Sequence, residues 1–260
     1  MNLDLTDKHA LVCGSTQGIG KASAVELAGL GAKVTLLARN EDLLKAVASS
    51  LPAPKGQEHG YLVADFLDEE AVKNAASQLE DMDVHILVNN TGGPAGGKAI
   101  DADTSAFLQA FQMHLISNQR LVQAVAGSMK KAGYGRIVNV ISTSVKAPLP
   151  NLGVSNTIRG AVANWAKTLA NELGEFGITV NNVLPGATAT ARLDAIISNG
   201  AKKAGVSEGE KAEAMKQAVP ARRFAQPEEV ANAIAFLATP AAAYINGINV
   251  PVDGGRTPSL

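Results

Sequence analysis

The sequence predicts an α/β protein built on a doubly wound parallel sheet with helices on both faces. Short β-rich runs alternate with amphipathic helical stretches along the 260 residues. The β-rich runs are almost continuously apolar, which is typical of parallel strands that helices cover on both sides. We therefore expect one domain over residues 1–260, with no linker inside it.

The elements follow in order along the chain. Six apolar runs are predicted as strands, and the segment INVPVDGG closes the pattern: His9–Cys13, Lys33–Ala38, Tyr61–Ala64, Val84–Val88, Arg136–Ile141 and Ile178–Leu184. Helical patterns lie between them: the stretch that ends at Leu30, the stretch that Asn40 opens, Asp68–Glu80, Thr104–Lys131, Val154–Glu175, Arg192–Gln217 and Pro227–Ala238. Asn40 is a good N-cap, and Pro227 suits a first helical position because its φ is fixed.

Composition excludes several classes of function. The net charge is −1, so there is no electrostatic footprint for nucleic acid or an acidic membrane surface. The single cysteine, Cys13, excludes a disulfide framework and a multi-cysteine zinc site, and we expect no metal. No run of about 20 apolar residues and no basic leader are present, which favours a cytoplasmic protein acting on a small molecule.

The turn after the first strand, Gly14–Gly20, reads GSTQGIG. Glycines allow a sharp turn and let a pyrophosphate approach the N-terminus of the next helix, where free N–H groups favour anions. The spacing is GxxxGxG rather than GxGxxG, and a tight turn without a ligand is the alternative. Its position between the first strand and the first helix favours a nucleotide.

Two residues at later strand ends extend this prediction. Arg39 follows the second strand, where a dinucleotide-binding protein places an acid for a ribose hydroxyl or a base for a 2′-phosphate. Arg39 therefore favours NADP(H) over NAD(H), although an exposed arginine at a strand end is also common. Asp65 follows the third strand and could accept a hydrogen bond from an adenine amine or cap the next helix.

Six blocks of the sequence resemble the short-chain dehydrogenase/reductase family, in the family's order and spacing. They are CGSTQGIG, NNTGG, IVNVIS, ITVNNVLPG, RRFAQPEEVA and INGINVPVDGG. The branch of β-ketoacyl-carrier-protein reductases is the most similar. The resemblance implies a seven-stranded Rossmann sheet and an NADP-dependent oxidoreductase acting on a carbonyl or alcohol. It also implies a homotetramer or homodimer built through the helices at Thr104–Lys131 and Val154–Glu175.

The same resemblance assigns the cofactor-binding residues by position. It places Gly14, Ser15, Gly18, Ile19 and Gly20 at the pyrophosphate, Asn90 and Gly92 at the adenosine ribose, and Pro185, Gly186 and Thr188 at the nicotinamide end. It also implies a substrate lid in the polar insertion at about residues 190–217.

The catalytic block departs from the family, whose members use Ser, Tyr, Lys and Asn. An ungapped alignment on AKTLANEL keeps Ser142 but places Ser155 at the Tyr position and Arg159 at the Lys position. His114 then stands at the Asn position. None of the three tyrosines has a lysine four residues later, so no shift of register restores the pattern.

These replacements leave three interpretations. A serine hydroxyl is a far poorer acid than tyrosine, and arginine stays charged at any working pH. The first interpretation is a reductase in which Ser142 and Ser155 orient the carbonyl and Arg159 holds the cofactor. The second is a nucleotide-binding protein without turnover that senses or regulates. The third is a non-redox isomerase or lyase with His114 as base. Retention of the cofactor blocks favours the first.

Overall fold

The computed structural model describes residues 1–259 and contains one parallel sheet of seven strands. The strands are β1 (His9–Cys13), β2 (Lys33–Ala38), β3 (Gly60–Val63), β4 (Ile86–Asn89), β5 (Gly135–Val140), β6 (Ile178–Pro185) and β7 (Asn249–Val252). Their order is β3-β2-β1-β4-β5-β6-β7, so the direction of winding reverses between β1 and β4. This confirms the doubly wound fold and puts a ligand crevice at the carboxyl ends of β1 and β4.

Nine α-helices connect the strands of the described chain. They are α1 (Gly18–Gly29), α2 (Glu41–Ser50), α3 (Glu69–Glu80), α4 (Thr104–Phe111), α5 (Ser117–Ala132), α6 (Gly153–Leu173), α7 (Ala191–Ala204), α8 (Glu208–Gln217) and α9 (Pro227–Ala238). Helices α1, α2 and α9 contribute to one apolar cluster, and α3, α5 and α6 contribute to another. Alternate residues of β1 enter the two clusters, because successive side chains of a strand point to opposite faces.

Side-chain caps fix where two of the helices begin. The Asn40 side chain accepts a hydrogen bond from the Leu43 amide, as predicted. The cap of α3 is Asp68, whose side chain accepts from the amides of Glu70 and Ala71. The alternative that Asp65 caps this helix is therefore wrong: its carboxylate accepts from the Leu67 amide, in a turn that precedes the helix.

Two predicted helices are interrupted. A π-helical turn at Gln112–Ile116 separates α4 from α5, and the Ser117 hydroxyl donates to the Gln112 carbonyl within it. The polar insertion divides into α7 and α8 at Gly205, whose positive φ of +68° ends α7. Apolar periodicity reveals neither interruption. Among residues 1–259, no helix is long and apolar enough to cross a membrane.

A row of asparagines crosses four strands of the sheet. Asn89, Asn139, Asn182 and Asn249 are paired in register on β4, β5, β6 and β7. The side-chain amide of each of the first three hydrogen-bonds to the next at 2.9–3.0 Å, with the NH₂ group as donor. We call these four residues the asparagine ladder.

Candidate active site

The glycine-rich turn depends on close backbone contacts with the end of β4. Gly14 has a φ of +57°, and a Cβ built on it would lie 2.5 Å from the Asn90 carbonyl oxygen. A Cβ on Gly20 would overlap the Gly14 carbonyl oxygen. The Asn90 side chain donates to the carbonyls of Cys13 and Gly14, at 3.3 and 3.2 Å. The turn is therefore held in one shape that only glycine permits at these two positions.

The turn also presents polar groups without internal partners. No side chain caps the N-terminus of α1 at Gln17, so its first amide N–H groups are available to a ligand. The buried Ser15 hydroxyl has no hydrogen-bond partner in the protein. Ile19 packs against the core, while Gly18 faces Thr190 across the crevice. A phosphate group fits this combination of free donors, a close backbone and a positive helix end.

Arg39 and Asp65 lie together beside this turn, at the ends of β2 and β3. Their charged groups are 3.8 Å apart, and the Arg39 side chain is 78% exposed. An exposed pair at this distance contributes about 0–1 kcal/mol, so it does not prevent Arg39 from pairing with a ligand.

The predicted catalytic residues converge at the carboxyl ends of β4 and β5. Ser142 follows β5, and its hydroxyl accepts from the Ser144 amide at 3.1 Å. Ser155 and Arg159 are both buried and lie one turn apart on α6, so they share a helix face. Nη1 of Arg159 donates to the Val140 carbonyl, two residues before Ser142. The structure thus brings Arg159 to the strand end that carries Ser142.

Arg159 carries a buried charge. The residue is only 7% exposed, and its Nε has no acceptor. Burial, and secondly the charge of Arg192, lower the pKa of Arg159 to about 10. The guanidinium therefore remains charged at neutral pH.

His114 lies in the π-helical turn and is 1% exposed. Its Nδ1 is 2.5 Å from the Thr91 hydroxyl, and its Nε2 has no partner. Burial is the main cause that lowers the pKa of His114 to about 2, and the charges of Arg159 and Arg192 add to it. The imidazole is therefore neutral at working pH and does not supply a proton as an imidazolium.

Replacing His114 with asparagine should flatten the pH dependence of stability. Below pH 6.5 the unfolded chain binds a proton at this histidine and the folded chain does not, so stability falls as the pH decreases toward 2. Each pH unit costs about 1.4 kcal/mol at most. The free energy of unfolding in urea, measured from about pH 7 to about pH 5, should fall less in His114→Asn by roughly 1–2 kcal/mol. Equal slopes in the two proteins would contradict this assignment.

The loop after β6 carries the remaining predicted residues. Thr188 is buried, and its hydroxyl donates to the Gly186 carbonyl at 3.2 Å. A Cβ on Gly186 would lie 2.8 Å from Asp253, so this glycine permits a close approach to the chain after β7. Pro185 ends β6 at the crevice, and Gly92 is exposed beside Asn90 with open space around its Cα.

The sequence reasoning missed Thr190 and Arg192 as site residues. Thr190 caps α7 and approaches Gly18, which joins this helix to the glycine-rich turn. Arg192 donates to the carbonyls of Gly93 and Pro94, at 2.9 and 3.1 Å. One signal in the sequence could have identified Arg192. A cation in the first turn of a helix is unfavourable because of the helix dipole, so its presence there indicates a role other than helix stability.

Histidines outside this crevice have structural partners. His9 Nε2 is 2.8 Å from the Thr35 hydroxyl, and Nδ1 of His85 accepts from the His9 amide. Nδ1 of His59 accepts from the Val34 amide. These contacts give the three residues structural roles. Residues 1–259 contain no group of three or more His, Cys, Asp or Glu that could hold a metal ion.

Comparison with known proteins gives a consistent result. A family model described as enoyl-(acyl carrier protein) reductase matches residues 14–257. The chain is 32% identical to 7alpha-hydroxysteroid dehydrogenase of Escherichia coli (strain K12), over 100% of this chain and 98% of that protein. It is 34% identical to the 3-oxoacyl-(acyl-carrier-protein) reductase FabG of Haemophilus influenzae, over 95% of this chain and 97% of that protein.

The fold is also similar to solved structures. L-sorbose reductase from Gluconobacter frateurii, complexed with NADPH and L-sorbose, aligns with a TM-score of 0.93 and 29% identity over 100% of both chains.

Proposed function

The chain belongs to the short-chain dehydrogenase/reductase family, and from this premise we propose that it transfers a hydride between NADP(H) and a carbonyl or alcohol substrate. The proposal rests chiefly on the glycine-rich turn after β1, which forms a cradle for the phosphates. Its glycines exclude side chains, the N-terminus of α1 is uncapped, and the buried Ser15 hydroxyl has no partner. A similar protein, L-sorbose reductase, has NADPH bound in its structure.

The residues of the crevice fit the successive parts of this cofactor. We assign Gly14, Ser15, Gly18, Ile19 and Gly20 to the pyrophosphate, Arg39 and Asp65 to the adenosine end, Asn90 and Gly92 to the ribose, and Pro185, Gly186 and Thr188 to the nicotinamide end. When bound, the nicotinamide supplies or accepts the hydride.

NADPH should bind more tightly than NADH, because the exposed Arg39 guanidinium can pair with the 2′-phosphate. Fluorescence titration of Arg39→Ala should show NADPH affinity reduced by about 10-fold, with NADH affinity unchanged. Lys33→Ala is the matched control, since Lys33 is exposed at the opposite end of the same strand. Equal affinities for the two cofactors in the natural protein would remove the preference from the proposal.

The proposed roles of the four catalytic positions differ from those in the family. Ser142 and Ser155 orient the carbonyl, and Arg159 holds the cofactor with N–H groups that its bond to Val140 leaves free. His114 is neutral and serves as a hydrogen-bonding partner of Thr91. A base with a pKa of about 2 is too weak to abstract a proton from carbon, which disfavours an isomerase or lyase.

A nucleotide-binding protein without turnover is the second candidate, and the serine at the tyrosine position favours it. Oxidation of NADPH, followed with a panel of aldehydes, ketones and 3-oxoesters, separates the two candidates. Cofactor binding without oxidation would support the second.

Three further features complete the proposal. Residues 1–260 act as one domain in which α7 and α8, at about residues 190–217, form a substrate lid. The protein is cytoplasmic.

It assembles as a homotetramer or homodimer through α4, α5 and α6. Exposed apolar side chains on and next to α4 support this interface: Ile100, Leu108 and Phe111. Light scattering of the protein in solution gives the mass that tests it.

A further inference from the structure

Two guanidinium groups meet at Gly93, in the loop that follows β4. A Cβ built on Gly93 would lie 2.7 Å from Nη2 of Arg192 and 3.5 Å from Nη2 of Arg159. The two arginines come from different elements, α6 and α7, and are 33 positions apart in the sequence. Gly93 has no side chain, and this leaves room for both groups.

The charge of Arg159 has no counter-ion in the described chain. Among residues 1–259, none of the ion pairs includes Arg159 or Arg192. The Arg159 side chain is buried, its Nε has no acceptor, and its Nη1 donates to the Val140 carbonyl, which is uncharged. A buried charge without a partner is costly, which is why buried cations are normally paired.

Arg192 brings a second positive charge to the same place against two unfavourable effects. It lies in the first turn of α7, where the helix dipole repels a cation, and it approaches another guanidinium. Carbonyls of Gly93 and Pro94 hold it there. Backbone carbonyls orient the group but do not neutralise its charge, so the pair remains strongly positive.

We infer that Arg192, together with Nη2 of Arg159, binds a carboxylate of the substrate and so favours keto or hydroxy acids, while the unpartnered Nε of Arg159 remains for the cofactor. The inference rests on the proposed function, because it names the class of substrate for the same crevice. A carboxylate has two oxygens and matches the forked donors of arginine, which lysine does not provide. The carboxylate offsets one of the two positive charges, and Arg159 places it near Ser155, which lies one turn away on the same face of α6.

Calorimetric titration with pyruvate and with its neutral amide, pyruvamide, tests the inference at low ionic strength. Both compounds are titrated into the protein alone and into the protein saturated with NADPH. The natural protein should bind pyruvate at least about 10-fold more tightly than pyruvamide. Arg192→Gln should lower the affinity for pyruvate by about 10- to 100-fold and leave that for pyruvamide unchanged. Lys203→Gln, an exposed residue of the same helix, removes the same charge and should change neither.

Any other result of these titrations contradicts the inference or the proposed function. Equal binding of pyruvate and pyruvamide, no saturable binding of pyruvate, or equal effects of Arg192→Gln and Lys203→Gln would overturn the inference. A loss of NADPH affinity in Arg192→Gln, with pyruvate binding intact, would assign the site to a cofactor phosphate instead. Failure of the natural protein to bind NADPH would overturn the proposed function alone, since pyruvate binding to the cofactor-free protein is measured separately.

Discussion

The Gly20→Ala variant should bind NADPH about 100-fold more weakly than the natural protein, a loss of about 2.7 kcal/mol. The added methyl group would overlap the Gly14 carbonyl oxygen and approach the Asn90 amide nitrogen to 2.7 Å. The Gly14 carbonyl belongs to the backbone and cannot rotate away as a side chain can, so the turn must open and its amide groups lose their alignment. Fluorescence titration with NADPH measures the effect.

Gly29→Ala is the matched control for this variant. Gly29 lies in the same helix, and a Cβ built on it meets nothing within 4 Å. Alanine there should leave NADPH affinity unchanged and raise stability by about 0.5–1 kcal/mol, because alanine favours a helix over glycine. Similar NADPH affinities for the two variants would mean that the turn does not hold the phosphates.

The double variant Ser155→Tyr/Arg159→Lys should gain about 10²- to 10⁴-fold in the rate of carbonyl reduction. Tyrosine has a pKa near 10 in solution, and a neighbouring ammonium lowers it into a range useful for proton transfer. Residues 155 and 159 share a face of α6, so the two new groups would lie side by side. Oxidation of NADPH with a 3-oxoester such as ethyl acetoacetate measures the rate.

The variant Ser155→Phe/Arg159→Lys separates the hydroxyl group from the ring. It fills the same space and has no acidic proton, so its rate should stay close to that of the natural protein. Equal rates for the tyrosine and phenylalanine variants, with circular dichroism showing an intact fold, would contradict the proposal that the site is a reductase without its usual acid.

The fold could be predicted because its determinants are local. Apolar runs such as His9–Cys13 identify strands, and Asn40 or Pro227 marks a helix start, within a few residues of sequence. The glycine-rich turn could also be predicted, because Gly14 and Gly20 lie where a strand is followed by a helix. One of the two interpretations of Asp65 placed the cap of α3 three residues too early. Asp65 and Asp68 are both suitable caps, and the sequence alone does not show at which of them the helix begins.

The electrostatics of the candidate site could not be read from the sequence. Arg192 reaches the Gly93 carbonyl across 99 positions of the chain, and no spacing rule connects them. The sequence offers His114 as a base because a histidine ordinarily has a pKa near 6.5, whereas burial, and then the charges of Arg159 and Arg192, lower its pKa to about 2. Such shifts arise from tertiary packing, which brings together charges that are unrelated in sequence.

The asparagine ladder has a consequence for how the strands find their partners. Apolar runs are nearly alike in every alignment, so hydrophobic burial alone distinguishes poorly between a correct pairing and one displaced along the strand. A displaced pairing would separate the buried amides of Asn89, Asn139 and Asn182 from their partners, at about 1–3 kcal/mol for each unsatisfied group. The ladder thus selects one register of the strands, even though its hydrogen bonds add little to the stability of the folded sheet.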